Sequence, residues 1–390
     1  MKLQKIKIDK VLGFHGNWTI KVGVFDENNN LASILIPSGK SKGKFEVKNL
    51  NPDEALLKSE EISNFLKNLD LQDQETLDNK LIEFDKTKNF ENLGGNVALG
   101  ISLACAKLVS INLNISFYKY LNFLQTGDYN SFNYQAPRIL FNIAEGGVHA
   151  ENNLEFQEHL ISFKNQTIFS QIKNLKEFND SFLNILKKEN KNLIFGDEGG
   201  WAGDYQNEET LINTLFDLKN NLKADLDLGL DVASSSISNF EPKMFLKRYL
   251  KLFEIFKLFY FEDPFPEEGF ENFYQDFYAQ IGDQALIIGD DLISTNPELV
   301  KKISDKKMIN GVIIKPDQVG TLSKTLKTIE LAKENNWKIV VSHRSQETLD
   351  NYLADLAIGT NADFVKFGTF YQGERLAKYN RLIEIESEFF

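Results

Sequence analysis

A chain of 390 residues with 42% hydrophobic content and a mean hydropathy of −0.31 can bury a sizeable core, as two domains or as one large barrel with a smaller partner. Its net charge of −12 excludes a general nucleic-acid surface and binding to anionic membranes, and any anionic substrate needs a local site of lysine, arginine or metal. No apolar run is read as long enough to span a bilayer, and the charged start MKLQKIKIDK lacks a following apolar h-region, so a cytoplasmic protein is expected.

In chain order, residues 1 to about 36 read as three strands, KLQKIKIDKVLG, WTIKVGVFD and LASILIP, separated by the turn residues HGN and ENNN. A Gly/Ser/Lys loop follows at 37–45. From Pro52 to about Leu124 the pattern becomes helical, so the first part reads as a small α+β domain. Cys105, the single cysteine, lies in its last apolar run and reads as a small buried hydrophobe. Turn-forming residues from Gly127 to Pro137 place the boundary, giving domains 1–130 and 131–390.

The second part has another rhythm. Short apolar runs end abruptly in Asp231, Glu262, Asp290, Lys315, His343 and Lys366, at intervals of 23 to 31 residues. The runs before Glu158 and Glu198 extend the series upstream. One strand and one helix per interval predict an α/β barrel of the (β/α)8 kind, whose strand ends converge on one mouth. A single strand-end charge usually just faces solvent; eight in register furnish a site.

Asp231, Glu262 and Asp290 close consecutive strands, and three crowded carboxylates require a cation. With no cysteine nearby and few histidines, the oxygen donors point to Mg²⁺ rather than Zn²⁺. In Glu262–Asp263 and Asp290–Asp291 the first member is taken as the inward one. Lys315 and Lys366 enter the same mouth. A second ammonium and a metal push a lysine toward its neutral, basic form, while the carboxylates pull the other way. Lysine plus metal suggests removal of a proton next to a carboxylate. Glu158 and Glu198, across the mouth, suit protonation of a departing hydroxide, and Gly199–Gly200 permits close backbone approach. His343, Arg344 and Ser345 offer donors for phosphate or carboxylate. His159 should face away from the site, Trp201 should pack, His15 should pack within the small domain, and Phe253, Phe256 and Phe259 read as helical core.

These segments resemble the enolase family over essentially the whole chain. PSGKSKG is similar to the family's mobile PSGASTG loop, and GGNVALGISLACAKL to its GANAILGVSLAVAKA helix. FNIAEGGVHAENNLEFQEHLI, GDEGGWA, EDPF, GDDL, SHRS and ERLAKYN follow in family order and spacing. The resemblance implies an enolase-type barrel behind an N-terminal capping domain, and reversible conversion of 2-phosphoglycerate to phosphoenolpyruvate with two Mg²⁺ per site. It implies Lys315 as base, Glu198 as general acid with Glu158 paired to it, and Asp231, Glu262 and Asp290 as ligands of the first Mg²⁺. Ser41 would complete the second metal site. Lys366 and His343 would hold the substrate carboxylate and nearby oxygens, Arg344 and Ser345 the phosphate, while His149 and Gln157 close around the substrate. A homodimer or higher homo-oligomer is implied as well.

The chain departs from the family pattern at several points. Lys40 and Lys42 flank Ser41 where the family has Ala and Thr. His15 and Trp18 replace Arg and Pro near a region that supports subunit contacts, Gln346 replaces a glycine, Gln372–Gly373 replaces Arg–Ser, and Ser236 stands where Glu is common. Two other readings therefore stand beside a working enolase: a superfamily lyase acting on another anionic 2-substituted carboxylate, and a non-catalytic, surface-displayed scaffold.

Overall fold

Alternation builds the first sheet. Strand β1 (Leu3–Leu12) buries Leu3, Ile6 and Ile8, and β2 (Trp18–Asp26) buries Ile20, Val22 and Val24. With β3 (Leu31–Leu35) they form an antiparallel sheet in the order β1-β2-β3. The computed structural model describes residues 1–40, 43–164, 167–189 and 193–390. Helices α1 (Pro52–Leu66), α2 (Gln74–Asp85), α3 (Gly95–Asn112) and α4 (Phe117–Thr126) follow. Helix α1 starts where the Asn51 side chain accepts from Glu54 N–H at 3.0 Å and Pro52 fills the first turn, which needs no donor. Helix α3 is apolar all round because it is covered all round. It is long and apolar enough to cross a membrane, contrary to the expectation that no run is, yet 83% of it is buried within the protein. Its Gly100 lies against Val22 and Ile36 of the sheet side, and Cys105 is buried in its core.

Eight strands close a barrel in the order β10-β11-β4-β5-β6-β7-β8-β9. They are β4 (Arg138–Glu145), β5 (Glu158–Phe163), β6 (Leu226–Asp231), β7 (Tyr260–Glu262), β8 (Leu286–Gly289), β9 (Gly311–Ile314), β10 (Lys338–Ser342) and β11 (Phe364–Lys366). Helices α5 (Ile168–Lys188) and α6 (Glu208–Leu222) lie between β5 and β6, and single helices separate most later strands. Strand β5 is antiparallel to both neighbours, while the other pairings are parallel. The uniform βα repeat thus fails at its start. Strand β4 turns directly into β5, and Glu158 reaches the mouth at the beginning of a reversed strand, not at the end of a forward one. Glu198 does not end a strand either. Its loop, between α5 and α6, is tied to the barrel by a bridge of Trp201 to Ala144 of β4, and a second bridge, Trp201 to Phe195, closes the loop on itself.

Period-2 alternation then positions the chemistry. Leu140, Leu160, Tyr260, Ile288, Ile313, Val340 and Phe364 form a buried cluster inside the barrel. Two residues nearer the mouth on the same strand faces stand Asn142, Glu158, Glu262, Asp290, Lys315, Ser342 and Lys366. Strand β6 supplies Gly229 at the apolar level and Asp231 above it. A Cβ at Gly229 would come within 2.8 Å of Tyr260 Cβ, so glycine makes room for the tyrosine. At the opposite end Arg138 bonds Asp227 at 3.0 Å and lies 5.0 Å from the Phe259 ring. Phe259 therefore belongs to the barrel floor and not to a helix, whereas Phe256 is buried on the helix Pro242–Phe256. His15 is exposed, in the left-handed region at φ 51°, with its ring stacked 3.7 Å from Phe14, so it does not pack inside the small domain. His159 and Trp201 are buried as expected, bonded to Glu208 at 2.8 Å and Asn179 at 3.0 Å.

The small sheet and its helices sit against the barrel. Leu35 N–H donates to Asp350, Val47 N–H to the Gln318 carbonyl, and Ser323 N–H to Asp78, all at 2.8–2.9 Å. Gly100→Ala places a methyl into Val22 within this packed layer. It is expected to cost about 1–3 kcal/mol of stability, read as a lower urea midpoint at unchanged slope.

Candidate active site

The Lys366 ammonium occupies the centre of the mouth. Its Nζ lies 3.0 Å from Asp231, 2.8 Å from Glu262 and 3.3 Å from Glu158, with all four side chains buried. Burial alone would lower the lysine; Asp231, Glu158 and Glu262 outweigh it and raise it well above the usual range. Glu262 also accepts from the Tyr260 hydroxyl at 2.6 Å. Burial and the Asp231 charge push its carboxyl up to about 8. The Gln157 amide donates to Asp231 at 3.3 Å.

The third acid has its own cation. Lys315 Nζ bonds Asp290 Oδ2 at 2.5 Å, and the Gln318 amide donates to Oδ1 at 3.1 Å. Burial would raise Asp290, but Lys315 holds it down; burial would lower Lys315, but Asp290 raises it. Both lysines are therefore charged when only protein surrounds them. The inward choice at the acidic pairs needs amending. Asp263 is also buried, and its two oxygens accept from the N–H groups of Asp290 at 2.9 Å and Asp291 at 2.7 Å. It stands in the left-handed region at φ 39°, as does Ala233 at φ 45° just beyond Asp231. Backbone turns of this kind at both strand ends aim the carboxylates inward. Asp263 is pushed well up by burial and Asp291.

The other wall is a carboxyl pair with two histidines. His149 Nδ1 lies 3.9 Å from both Glu158 and Glu198, and Glu198 bonds His343 Nε2 at 2.9 Å. Arg375 donates to His343 Nδ1 at 2.8 Å. Guanidinium only donates, so Nδ1 must accept and the proton must sit on Nε2, facing Glu198. Burial keeps this imidazole neutral, pushed down to about 4. Burial and Glu198 raise Glu158 well above the carboxylate range; burial would raise Glu198 too, but His343 and His149 hold it well below. The two carboxyls are thus pushed in opposite directions, Glu158 toward the protonated form and Glu198 toward the ionised one. Glu145 supports the loop, accepting from Glu198 N–H at 3.1 Å and Gly200 N–H at 2.5 Å. Gly200 must remain glycine because a Cβ would come within 2.9 Å of the Asn142 carbonyl and of Glu145.

Arg344 borders the mouth near Lys315. It donates to Asp317 at 2.7 Å and to both oxygens of Glu46 at 3.1–3.2 Å. Burial pushes Asp317 up to about 6 against the pull of Arg344. Ser345 Oγ accepts from Lys40 N–H at 2.9 Å. Ser41 and Lys42 lie outside the described residues. The enclosed space is small, about 50 Å³, and is bordered by Gly39, Glu46, Lys315 and Lys366 among others. A roomier cleft of about 870 Å³ between α2 and Leu322–Glu334 is lined mainly by polar chains and lacks such a convergence.

The described residues thus bring twelve sequence-identified positions to one mouth: His149, Gln157, Glu158, Glu198, Asp231, Glu262, Asp290, Lys315, His343, Arg344, Ser345 and Lys366. Sequence reasoning missed Glu46, Glu145, Asp263, Asp291, Asp317 and Arg375. Asp263 and Asp291 were visible as second members of acidic pairs, and Glu145 lay in the motif FNIAEGG. Nothing local marked Glu46 or Arg375. Asp263, Asp290 and Asp291 bring carboxylate oxygens within 4.8 Å of one another, and Glu262 is raised by burial and by the Asp231 charge. Oxygen donors crowded in this way fit a hard divalent cation.

Known proteins match the sequence of this chain over nearly its full length. A family model described as the enolase N-terminal domain matches residues 3–121, and the enolase C-terminal TIM barrel model matches 133–249 and 238–390. The chain is 36% identical over 413 residues to an enolase of Ehrlichia ruminantium, covering 99% of this chain and 96% of that one. Identity is 35% to the enolase of Campylobacter lari over 411 residues, covering 98% and 97%. It is also 35% to the enolase of Picrophilus torridus over 406 residues, covering 99% of each. With both domains matched and relatives of this identity aligned end to end, the chain belongs to the enolase family.

Proposed function

We propose that the chain is a phosphopyruvate hydratase, a hydro-lyase that interconverts 2-phosphoglycerate with phosphoenolpyruvate and water using two Mg²⁺ per site. One observation carries the reading. A lysine and a carboxyl pair whose members are pushed in opposite directions share a mouth with three acidic strand ends, and a guanidinium stands at its edge. Lys315 Nζ takes the proton from the carbon bearing the carboxylate. The hydroxyl on the next carbon leaves as water on a proton that passes from Glu158, the member pushed toward protonation, through Glu198 as general acid, and a carbon–carbon double bond forms. His149 and Gln157 close around that hydroxyl side. Lys366 and His343 hold the substrate carboxylate and nearby oxygens, and Arg344 with Ser345 takes the phosphate. Asp231, Glu262 and Asp290 would hold the first ion and Ser41 would complete the second. Bound there, a divalent ion supplies the positive charge that a doubly charged carboxylate demands.

We take the capping domain as 1–130 and the catalytic barrel as 131–390. A homodimer is part of the proposal. Leu12 and Trp18 pair across the first hairpin at 60% and 57% exposure, and Leu12 shares a cleft of about 320 Å³ with Leu349, itself 68% exposed. A cytoplasmic site of action, with some surface association, completes the assignment. The alternative lyase is weakened by Arg344 beside Ser345, which suits phosphate. The scaffold reading is weakened by so many retained buried charges.

Phosphoenolpyruvate should form from 2-phosphoglycerate in the presence of Mg²⁺ and stop on chelation; a folded but inactive protein would end the assignment. Lys315→Ala should lower turnover about 10²–10⁴-fold with an unchanged circular dichroism spectrum. Stability should also respond to pH and metal together. Glu262 titrates near 8 when folded against 4.5 ordinarily, so the metal-free fold binds more protons than the unfolded chain between those values. Melting temperature should fall as pH rises through that window. Mg²⁺ should flatten the slope, and Glu262→Gln should remove its share of it.

A further inference from the structure

Lys40 plays no part in the roles described so far, yet it touches three loops of the mouth. Its backbone is anchored on the phosphate side. Lys40 N–H donates to Ser345 Oγ at 2.9 Å. Two residues earlier Ser38 and Gln346 exchange backbone hydrogen bonds at 3.0 and 3.1 Å, and the Ser38 hydroxyl donates to the Gln346 amide oxygen at 2.8 Å. From that anchor the side chain reaches the opposite loops. Its Nζ lies 2.9 Å from Asp197 Oδ2 and donates to the Val148 carbonyl at 3.2 Å. Val148 precedes His149, and Asp197 precedes Glu198. Asp197 N–H in turn donates to the His149 carbonyl at 3.1 Å, and the Asp197 carbonyl accepts from Gln372 at 3.2 Å.

We propose that Lys40 is a positioning residue for the dehydration: its ammonium clamps the loops of His149 and Glu198 together and holds both groups against the leaving hydroxyl. The proposal rests on the hydratase reading. Three observations favour positioning over simple stability. The ammonium is 52% exposed and Asp197 24%, and ion pairs this wet add little to folding. The contacts run to the backbone and carboxylate next to the two groups whose placement decides proton delivery. A small misplacement of such groups is enough to slow the chemistry by up to about 10²-fold. The two partners of Lys40 also differ in kind. The Val148 carbonyl fixes direction, while Asp197 would otherwise leave an uncompensated negative charge beside Glu198.

The test compares wild type with Lys40→Met, Lys40→Arg, Asp197→Asn and the Lys40→Met/Asp197→Asn double variant. Lys40→Met keeps the length and loses the charge. It should lower kcat/KM about 10-fold, mainly through kcat, with the melting temperature within about 2 °C of wild type. Lys40→Arg should recover most of the loss. The double variant should be no worse than the poorer single one, because both remove one contact. Without substrate, amide exchange over residues 146–152 and 194–199 should quicken in Lys40→Met alone among the Lys40 variants. Equal kcat/KM for wild type and Lys40→Met overturns the role. Additive losses in the double variant, or a loss tracked by a drop in melting temperature with unchanged exchange in these segments, overturn it as well. Wild-type turnover in the same assay separates the two failures: an inactive wild type removes the hydratase reading and this role with it, and an active wild type matched by Lys40→Met removes only the role.

Discussion

One buried ammonium governs the barrel mouth. Lys366 stands among Glu158, Asp231 and Glu262, each of them nearly inaccessible to water. A charge buried in this way is tolerable only with a partner, and removing either side of the arrangement strands the other. The partners come from β5, β6, β7 and β11, so the charge balance ties together strands that lie far apart in the chain. The apolar layer beneath carries the same requirement in steric form. Gly229 yields space to Tyr260, and the Tyr260 hydroxyl then reaches up to Glu262. Packing below and electrostatics above are thus joined through a single side chain.

The sequence displayed this mouth clearly because strands alternate. An apolar run ending in an acid or a lysine puts the charged residue one pleat above the core, whatever the neighbouring strands do. For that reason Asp231, Glu262, Asp290, Lys315 and Lys366 were legible from local pattern. Direction was not legible. Alternation is identical whether a strand is read forward or backward, so the reversal of β5 left no trace, and Glu158 was placed at the wrong end of its strand. Glu198 misled differently. An apolar stretch before it imitates a strand, while its real support is Glu145, which is reached only through folding. Arg375 and Glu46 were equally hidden, since each works on a residue roughly thirty or three hundred positions away. Family motifs compensated for part of this, because they carry spatial information that spacing alone does not.

The phosphate side shows how the two parts of the chain share one site. Arg344 belongs to the loop after β10, Asp317 to the turn after β9, and Glu46 to the segment that precedes α1. Two carboxylates on one guanidinium leave it with no net positive charge to offer. In the proposed role as phosphate binder, Arg344 would receive that group only in competition with a carboxylate already in place. Asp317 is fixed by the Pro316–Gln318 turn, whereas Glu46 is held by loop contacts, including Gly43 N–H at 3.1 Å. The partner from the small domain is the less constrained of the two, so geometry couples anion binding to the disposition of that domain's loop.

Proton inventory separates the two halves of the chemistry. On the acid side everything is arranged by protein alone. Arg375 fixes the His343 tautomer, His343 and His149 hold Glu198 below the usual carboxylate range, and burial beside Glu198 raises Glu158. The base side is not arranged in the same way. Asp290 holds Lys315 in its charged form, and a charged lysine accepts no proton. In the proposed role as base, Lys315 would have to release its proton, which a second cation at Asp290 would favour. Glu262, raised to about 8 by burial and the Asp231 charge, would likewise be relieved by a further positive charge. A hard divalent ion among these oxygens would answer both needs at once, so the acids that would hold it would also loosen the lysine's proton.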